Sequence, residues 1–245
     1  MRTQLQLAAT LLLLIGAAAH AQITNPDNLV AHPPANPAQH QAFPTNDTLQ
    51  WLWSFTKPTP NGRADDLRLD ARFQSLLARD FKQPQAMWGE QQPLDEVIPL
   101  FLTQHGTITA EDNRYITIDG CVPSFCPAHG MLWIDLGTTH PLVVFAGVNW
   151  TSENHTTDES TANYNLWLFS NRLLDPNALP LALTASLAHW DARLATAHRL
   201  VPHIAQAILV EPSGAPHELD PQLVGANTIA PQPDTTTPSS NDTNN

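Results

Sequence analysis

Lysine is almost missing from this chain. Only Lys57 and Lys82 occur, and Lys and Arg together number 11 against 23 Asp and Glu, for a formal net charge of −12. A protein that grips a phosphate backbone needs a cationic stripe to displace counterions, so nucleic acid is excluded as a partner. Cysteine is just as scarce, with only Cys121 and Cys126. Two thiols cannot complete a tetrahedral zinc site, and their spacing is not that of a redox C-x-x-C pair. Hydrolase and nucleotide signatures are missing too: there is no Gly-x-Ser-x-Gly, no His-Glu-x-x-His and no glycine loop to cradle a phosphate. The histidines are scattered. His198 and His203 lie near each other, but Pro202 breaks the helical spacing a metal pair needs, so neither a metal nor a cofactor is expected. After the N-terminus no apolar run approaches the roughly 20 residues of a bilayer span.

What is present is enough for a folded domain. The chain has 245 residues, 42% of them hydrophobic, with seven Trp, which is sufficient to build a core. Residues 1–21 read as a secretory signal peptide: Arg2, then an apolar run from Leu5 to Ala19, then the small-x-small site Ala19-His20-Ala21. Cleavage there starts the mature chain at Gln22 and predicts a periplasmic or secreted product. Prolines mark both ends of the mature chain. Of 22, five fall in 22–45 and six in 212–245, among Ala, Gln, Asn, Thr and Ser. Such segments bury too little apolar surface to offset ordering entropy. They read as a flexible linker, 22–46, and a disordered polar tail, 212–245, around one domain over 47–211.

Within that domain Leu69, Phe73, Leu76, Leu77 and Phe81 recur at helical spacing and predict a helix over 65–81, preceded by a short helical piece at Thr48–Phe55. Residues 93–104 fit either a helix start at Pro93-Leu94-Asp95-Glu96 or a strand. Four β-rich runs follow: Thr107–Thr117 with a turn at Glu111-Asp112-Asn113, Met131–Leu136, Leu142–Trp150 and Tyr164–Phe169. The first counts as a broken hairpin, which makes five strands. Leu142–Ala146 is apolar on both faces and so belongs at the sheet centre. Leu183, Leu187, Trp190, Leu194 and Ala197 then form one face of a second helix. Helix, strands, helix, with short turns, predict an α+β fold: about five antiparallel strands flanked by helices. Asp119 and Asp135 read as solvated carboxylates at strand ends, and Trp133, Trp150 and Trp167 as core or half-buried sheet residues.

The run Asp119-Gly120-Cys121-Val122-Pro123-Ser124-Phe125-Cys126-Pro127 sits between two predicted strands. In an exported protein Cys121 and Cys126 are expected to pair. So small a ring contributes only roughly 2 kcal/mol through loop entropy, so its value lies in stiffening a protruding loop. A stiff loop loses little freedom on binding.

This loop resembles the Cys-Lys-Pro-His-Asp-Cys loop of the inhibitor of vertebrate lysozyme (Ivy) family. Phe73-Gln74-Ser75-Leu76-Leu77, Gln85-Ala86-Met87-Trp88, Arg114-Tyr115-Ile116-Thr117, Leu142–Val148 and Leu166–Phe169 follow that family's order of elements, over about 70–200. The resemblance implies an Ivy-like fold and a non-enzymatic binding protein whose loop enters the cleft of a lysozyme. Cys121, Pro123 and Cys126 carry over, whereas Val122, Ser124 and Phe125 replace the family's lysine, histidine and aspartate. The expected partner-binding residues are Val122, Pro123, Ser124, Phe125 and His129, and the expected partner is a lysozyme or a lytic transglycosylase. His129 either reaches over from beside the ring or is a water-exposed turn residue. The rival reading is an envelope structural module without inhibitory activity.

Overall fold

Seven strands, each joined to the next in chain order, form a single sheet: β1 (Gln104–Glu111), β2 (Tyr115–Val122), β3 (Phe125–Asp135), β4 (Leu142–Trp150), β5 (Asn163–Ser170), β6 (His203–Val210) and β7 (Pro216–Leu219). The computed structural model describes residues 49–88, 91–150, 163–198 and 203–225. The segments read as signal peptide and linker, 1–21 and 22–46, lie outside these, as do the side chains of Trp150, His198 and His203.

The α+β class holds, but the sheet is larger than expected and mixed. Five of its pairings are antiparallel, and β5 and β6 run parallel. The cause is α4 (Leu181–His198), which separates β5 from β6 in the chain. A strand that returns through a crossover helix re-enters the sheet parallel to the strand it left. β7 lies past residue 211, where composition predicts only tail. Glu211 and Ala215 close a turn through a 2.9 Å hydrogen bond, and Pro216 takes the start of an edge strand, where its missing N–H does no harm.

Among the described residues four shorter elements precede the sheet: a 3₁₀ helix (Gln50–Phe55), α1 (Ala64–Leu69), α2 (Ala71–Asp80) and α3 (Leu94–Phe101). The single helix expected over 65–81 is two. Asp70 has extended dihedrals and accepts a hydrogen bond from the Arg72 amide, so it caps α2 instead of continuing α1. Residues 94–101 are helical, with Asp95 and Glu96 in the first turn beside the open N–H groups.

Strand alternation sends side chains to two cores. Ile116, Ile118, Leu132, Ile134, Val143, Phe145 and Phe169 face the 3₁₀ helix and α1–α3, while Met131, Trp133, Val144, Ala146, Leu166 and Leu168 face Leu183, Leu187 and Trp190 of α4. β4 is central and covered on both sides, as its uniform apolarity predicts. Polar contacts fix α4 on its face: the Trp133 indole donates to Ser186 Oγ at 3.2 Å, and Ser186 donates to Glu111 Oε2 at 2.6 Å.

Three glycines, Gly120, Gly130 and Gly147, pair across β2, β3 and β4 and leave a trough in the sheet. A Cβ on Gly120 would lie 2.8 Å from the backbone carbon of Leu102, and one on Gly130 would lie 2.5 Å from Phe101 Cβ. The end of α3 therefore sits directly on the sheet and delivers the chain into β1, beside the Cys121–Cys126 hairpin.

Candidate functional site

The segment expected to be a loop is the tip of the β2–β3 hairpin. Val122 pairs with Phe125, leaving Pro123 and Ser124 as a two-residue turn. Ser124 has φ 62, so the turn combines a proline with a left-handed residue, the combination a type II turn requires. Below the tip the register shifts. Cys121 pairs with His129, so Cys126, Pro127 and Ala128 form a bulge on β3 with no counterpart on β2. Cys121 and Cys126 are joined by a disulfide, with Cα atoms 4.9 Å apart. Gln104 Oε1 accepts the Ser124 amide at 3.2 Å and ties the tip to the start of β1.

The five residues expected to meet a partner are not in one place. Pro123, Ser124 and Phe125 are exposed at the tip, and Phe125 is 44% exposed, unusual for so large an apolar side chain. Val122 is half-buried and packs against the core on the α1–α3 side. His129 is neither at the tip nor in a water-exposed turn. It is a mid-strand residue, paired with Cys121 and Val148 and 3% exposed.

His129 instead lines a cavity of about 510 Å³ between the α4 face of the sheet and the second half of α4. Among the described residues, His105 and Thr107 of β1, Asp119, Gly120 and Cys121 of β2, and Trp190, Arg193 and Leu194 of α4 line it with His129. Asp119 is not a solvated strand-end carboxylate. It is buried, its Oδ1 accepts from the Thr107 amide at 3.3 Å and from the Thr107 hydroxyl, and its Oδ2 accepts from Arg193 Nη2 at 2.8 Å. Asp135 is likewise buried in a two-pronged pair with Arg114, at 2.7 Å on each arm. Asp135 pairs with Tyr115, four residues along β2 from Asp119, so the two carboxylates have separate cations and form no acid–base couple. The bond to Asp135 holds the Arg114 guanidinium above its ordinary pKa, and burial pushes the neighbouring Tyr115 phenol up.

Sequence reading missed His105, Thr107, Trp190 and Arg193 as neighbours of His129. A signal for Arg193 existed, since it follows Trp190 by three residues and so shares its side of α4. His105 gave none. It lies in an irregularity between the Gln104–Cys121 and Thr107–Asp119 pairs, with φ 55. Among the described residues no group of three or more His, Cys, Asp or Glu gathers as a metal site, and no helix is long and apolar enough to cross a membrane. No family model, curated protein or solved structure matches the chain.

Proposed function

We propose that this is an exported, non-enzymatic binding protein of the lysozyme-inhibitor type, which recognises a lysozyme-type muramidase or another cell-envelope partner through the tip at 121–126. The observation that carries the reading is the disulfide-closed hairpin that holds Phe125, beside Pro123 and Ser124, out in solvent. An exposed aromatic on a crosslinked turn is a preformed anchor: it offers a large apolar area and has little freedom left to lose. Ser124 adds a neutral donor where the resembling loop has a histidine. Charge-assisted bonds are about twice as strong as neutral ones, so this tip relies on apolar contact more than on pairing with carboxylates.

The test is direct binding of the mature chain to a panel of C-type lysozymes and lytic transglycosylases. The expected result is saturable binding that weakens about tenfold or more in Phe125→Ala and falls when the disulfide is reduced. Val122→Lys with Ser124→His restores two of the family's side chains. Histidine tolerates positive φ better than most residues, so the turn accepts it, and inhibition of a lysozyme should rise. Absence of binding across the panel, together with no gain in the double variant, overturns the reading. The envelope structural module then takes its place, a reading favoured by the missing charges at Val122, Ser124 and Phe125.

A further inference from the structure

The cavity behind the hairpin is lined by none of the exposed tip residues Pro123, Ser124 and Phe125. We propose that it is a binding site for a small organic monocarboxylate with an apolar body.

Its volume, about 510 Å³, lies within the range of roughly 300–1,000 Å³ typical of small-molecule sites. Among the described residues Trp190, Leu194, Gly120 and the Cys121 half of the disulfide supply the apolar wall, and the polar groups are few: His105, Thr107, Asp119, His129 and Arg193. Such a wall, mostly apolar with a small number of placed polar groups, suits a ligand that is buried by its body and oriented by its head.

The head is identified by Arg193. Asp119 fixes the guanidinium on the sheet side through one bond from Nη2, and this is the only partner Arg193 has among the described residues. A guanidinium carries five N–H groups in a planar fork, so four remain, and the side chain is still 41% exposed. Asp119 is already satisfied by Thr107 and Arg193, so it acts as the brace for the fork and not as a site of its own. A carboxylate matches the open edge of the fork with two parallel bonds. A doubly charged phosphate does not suit the site as well, because Asp119 compensates the one cation present and stands next to the incoming charge. Trp190 adds a second feature. Its ring forms part of this wall and its buried indole N–H has no acceptor among the described residues, so a ligand seated here changes the surroundings of that N–H.

The experiment is an NMR titration of the full mature chain with 3-phenylpropionate, 3-phenylpropanamide as the neutral control, and inorganic phosphate, followed at the Trp190 indole N–H as assigned with Trp190→Phe. The carboxylate is expected to move that signal saturably, the amide to bind about 10- to 100-fold more weakly, and phosphate to leave it unmoved. Arg193→Gln should weaken carboxylate binding by the same factor. Because that change leaves Asp119 without its cation, the double variant Asp119→Asn with Arg193→Gln is made alongside it. The pair then loses both charges and keeps its hydrogen-bonding capacity, and it should fold and bind the acid no better than the amide. Equal binding of acid and amide to the wild-type chain, an unmoved Trp190 signal, or full carboxylate affinity in the double variant overturns the proposal. None of these readouts involves a lysozyme, so failure here leaves the reading of the tip standing, and failure of the tip leaves this one standing.

Discussion

Asp191 predicts a dependence of stability on pH that opposes the usual carboxylate trend. It lies on α4, is 6% exposed, and its Oδ2 has no hydrogen-bond partner among the described residues. Burial pushes its carboxyl up from 3.8 to about 6. Most carboxylates in folded proteins are held low by a cation or donor and stabilise the fold as pH rises. Here the folded state holds the proton more tightly than the unfolded chain, so folding takes up a proton between the two values. The contribution of Asp191 is therefore full below the unfolded pKa and is lost as pH climbs through about 6. Two pKa units correspond to at most about 3 kcal/mol, or roughly 6–12 °C in Tm for a domain of this size. Asp191→Asn removes the titration and keeps the shape. The new amide lacks an acceptor and carries a cost of about 1–3 kcal/mol, but that cost is the same at every pH. The quantity to measure is therefore the difference between variant and wild type by urea unfolding from about pH 4 to about pH 7, which should move by up to about 3 kcal/mol in favour of the variant. Two profiles that stay parallel over this range would refute the argument.

Gly120→Ala should cost about 1–3 kcal/mol or more in urea unfolding, because its Cβ would meet the Leu102 backbone at 2.8 Å and no flexible side chain can yield. A variant as stable as wild type would mean that α3 does not rest on the strand there. Arg114→Gln should cost about 3 kcal/mol, since Asp135 would keep its buried charge with only the Gly137 amide, at 2.8 Å, to support it. A variant as stable as wild type in urea unfolding would mean that Asp135 does not depend on this pair.

The legible parts of this chain are those where one physical rule acts alone. β4 announces its place at the sheet centre because both of its faces are apolar, and α4 is read from one unbroken stripe. The illegible parts are where a second rule intervenes. β6 hides because the Ile204–Val210 segment is interrupted: the register shifts at Ala205, so Ala205 and Gln206 are both exposed and the alternation fails. With β6 unread, the parallel crossover and β7 go unread as well, and the domain edge falls at 211 instead of beyond Leu219. The break at Asp70 is legible in principle, since aspartate ahead of a helical run is a cap as well as a polar surface residue. The tip's chemistry is readable as far as its crosslink and turn. The cavity is not, because it exists only where α4, the β1 irregularity and the Asp119–Arg193 pair meet, and the two members of that pair alone are separated by 74 positions.

The bulge explains why a disulfide stands at this point of the sheet. In the register of the tip, where Val122 faces Phe125, the residue opposite Cys121 is Cys126, while in the register of the sheet body it is His129. The three extra residues on β3 interrupt the ladder at the base of the turn, and one of them, Pro127, has no N–H to give. Main-chain hydrogen bonds cannot carry the tip across that interruption, and the covalent link does so in their place. By loop entropy it contributes only roughly 2 kcal/mol, which is small beside a sheet with two buried faces, so the fold does not depend on it. The tip does. Reduction should therefore leave the sheet folded while it frees Pro123, Ser124 and Phe125 from their fixed presentation. For a protein that binds through this tip, recognition is thereby separated from stability: the crosslink is placed where it does little for the domain and most for the three residues a partner would meet.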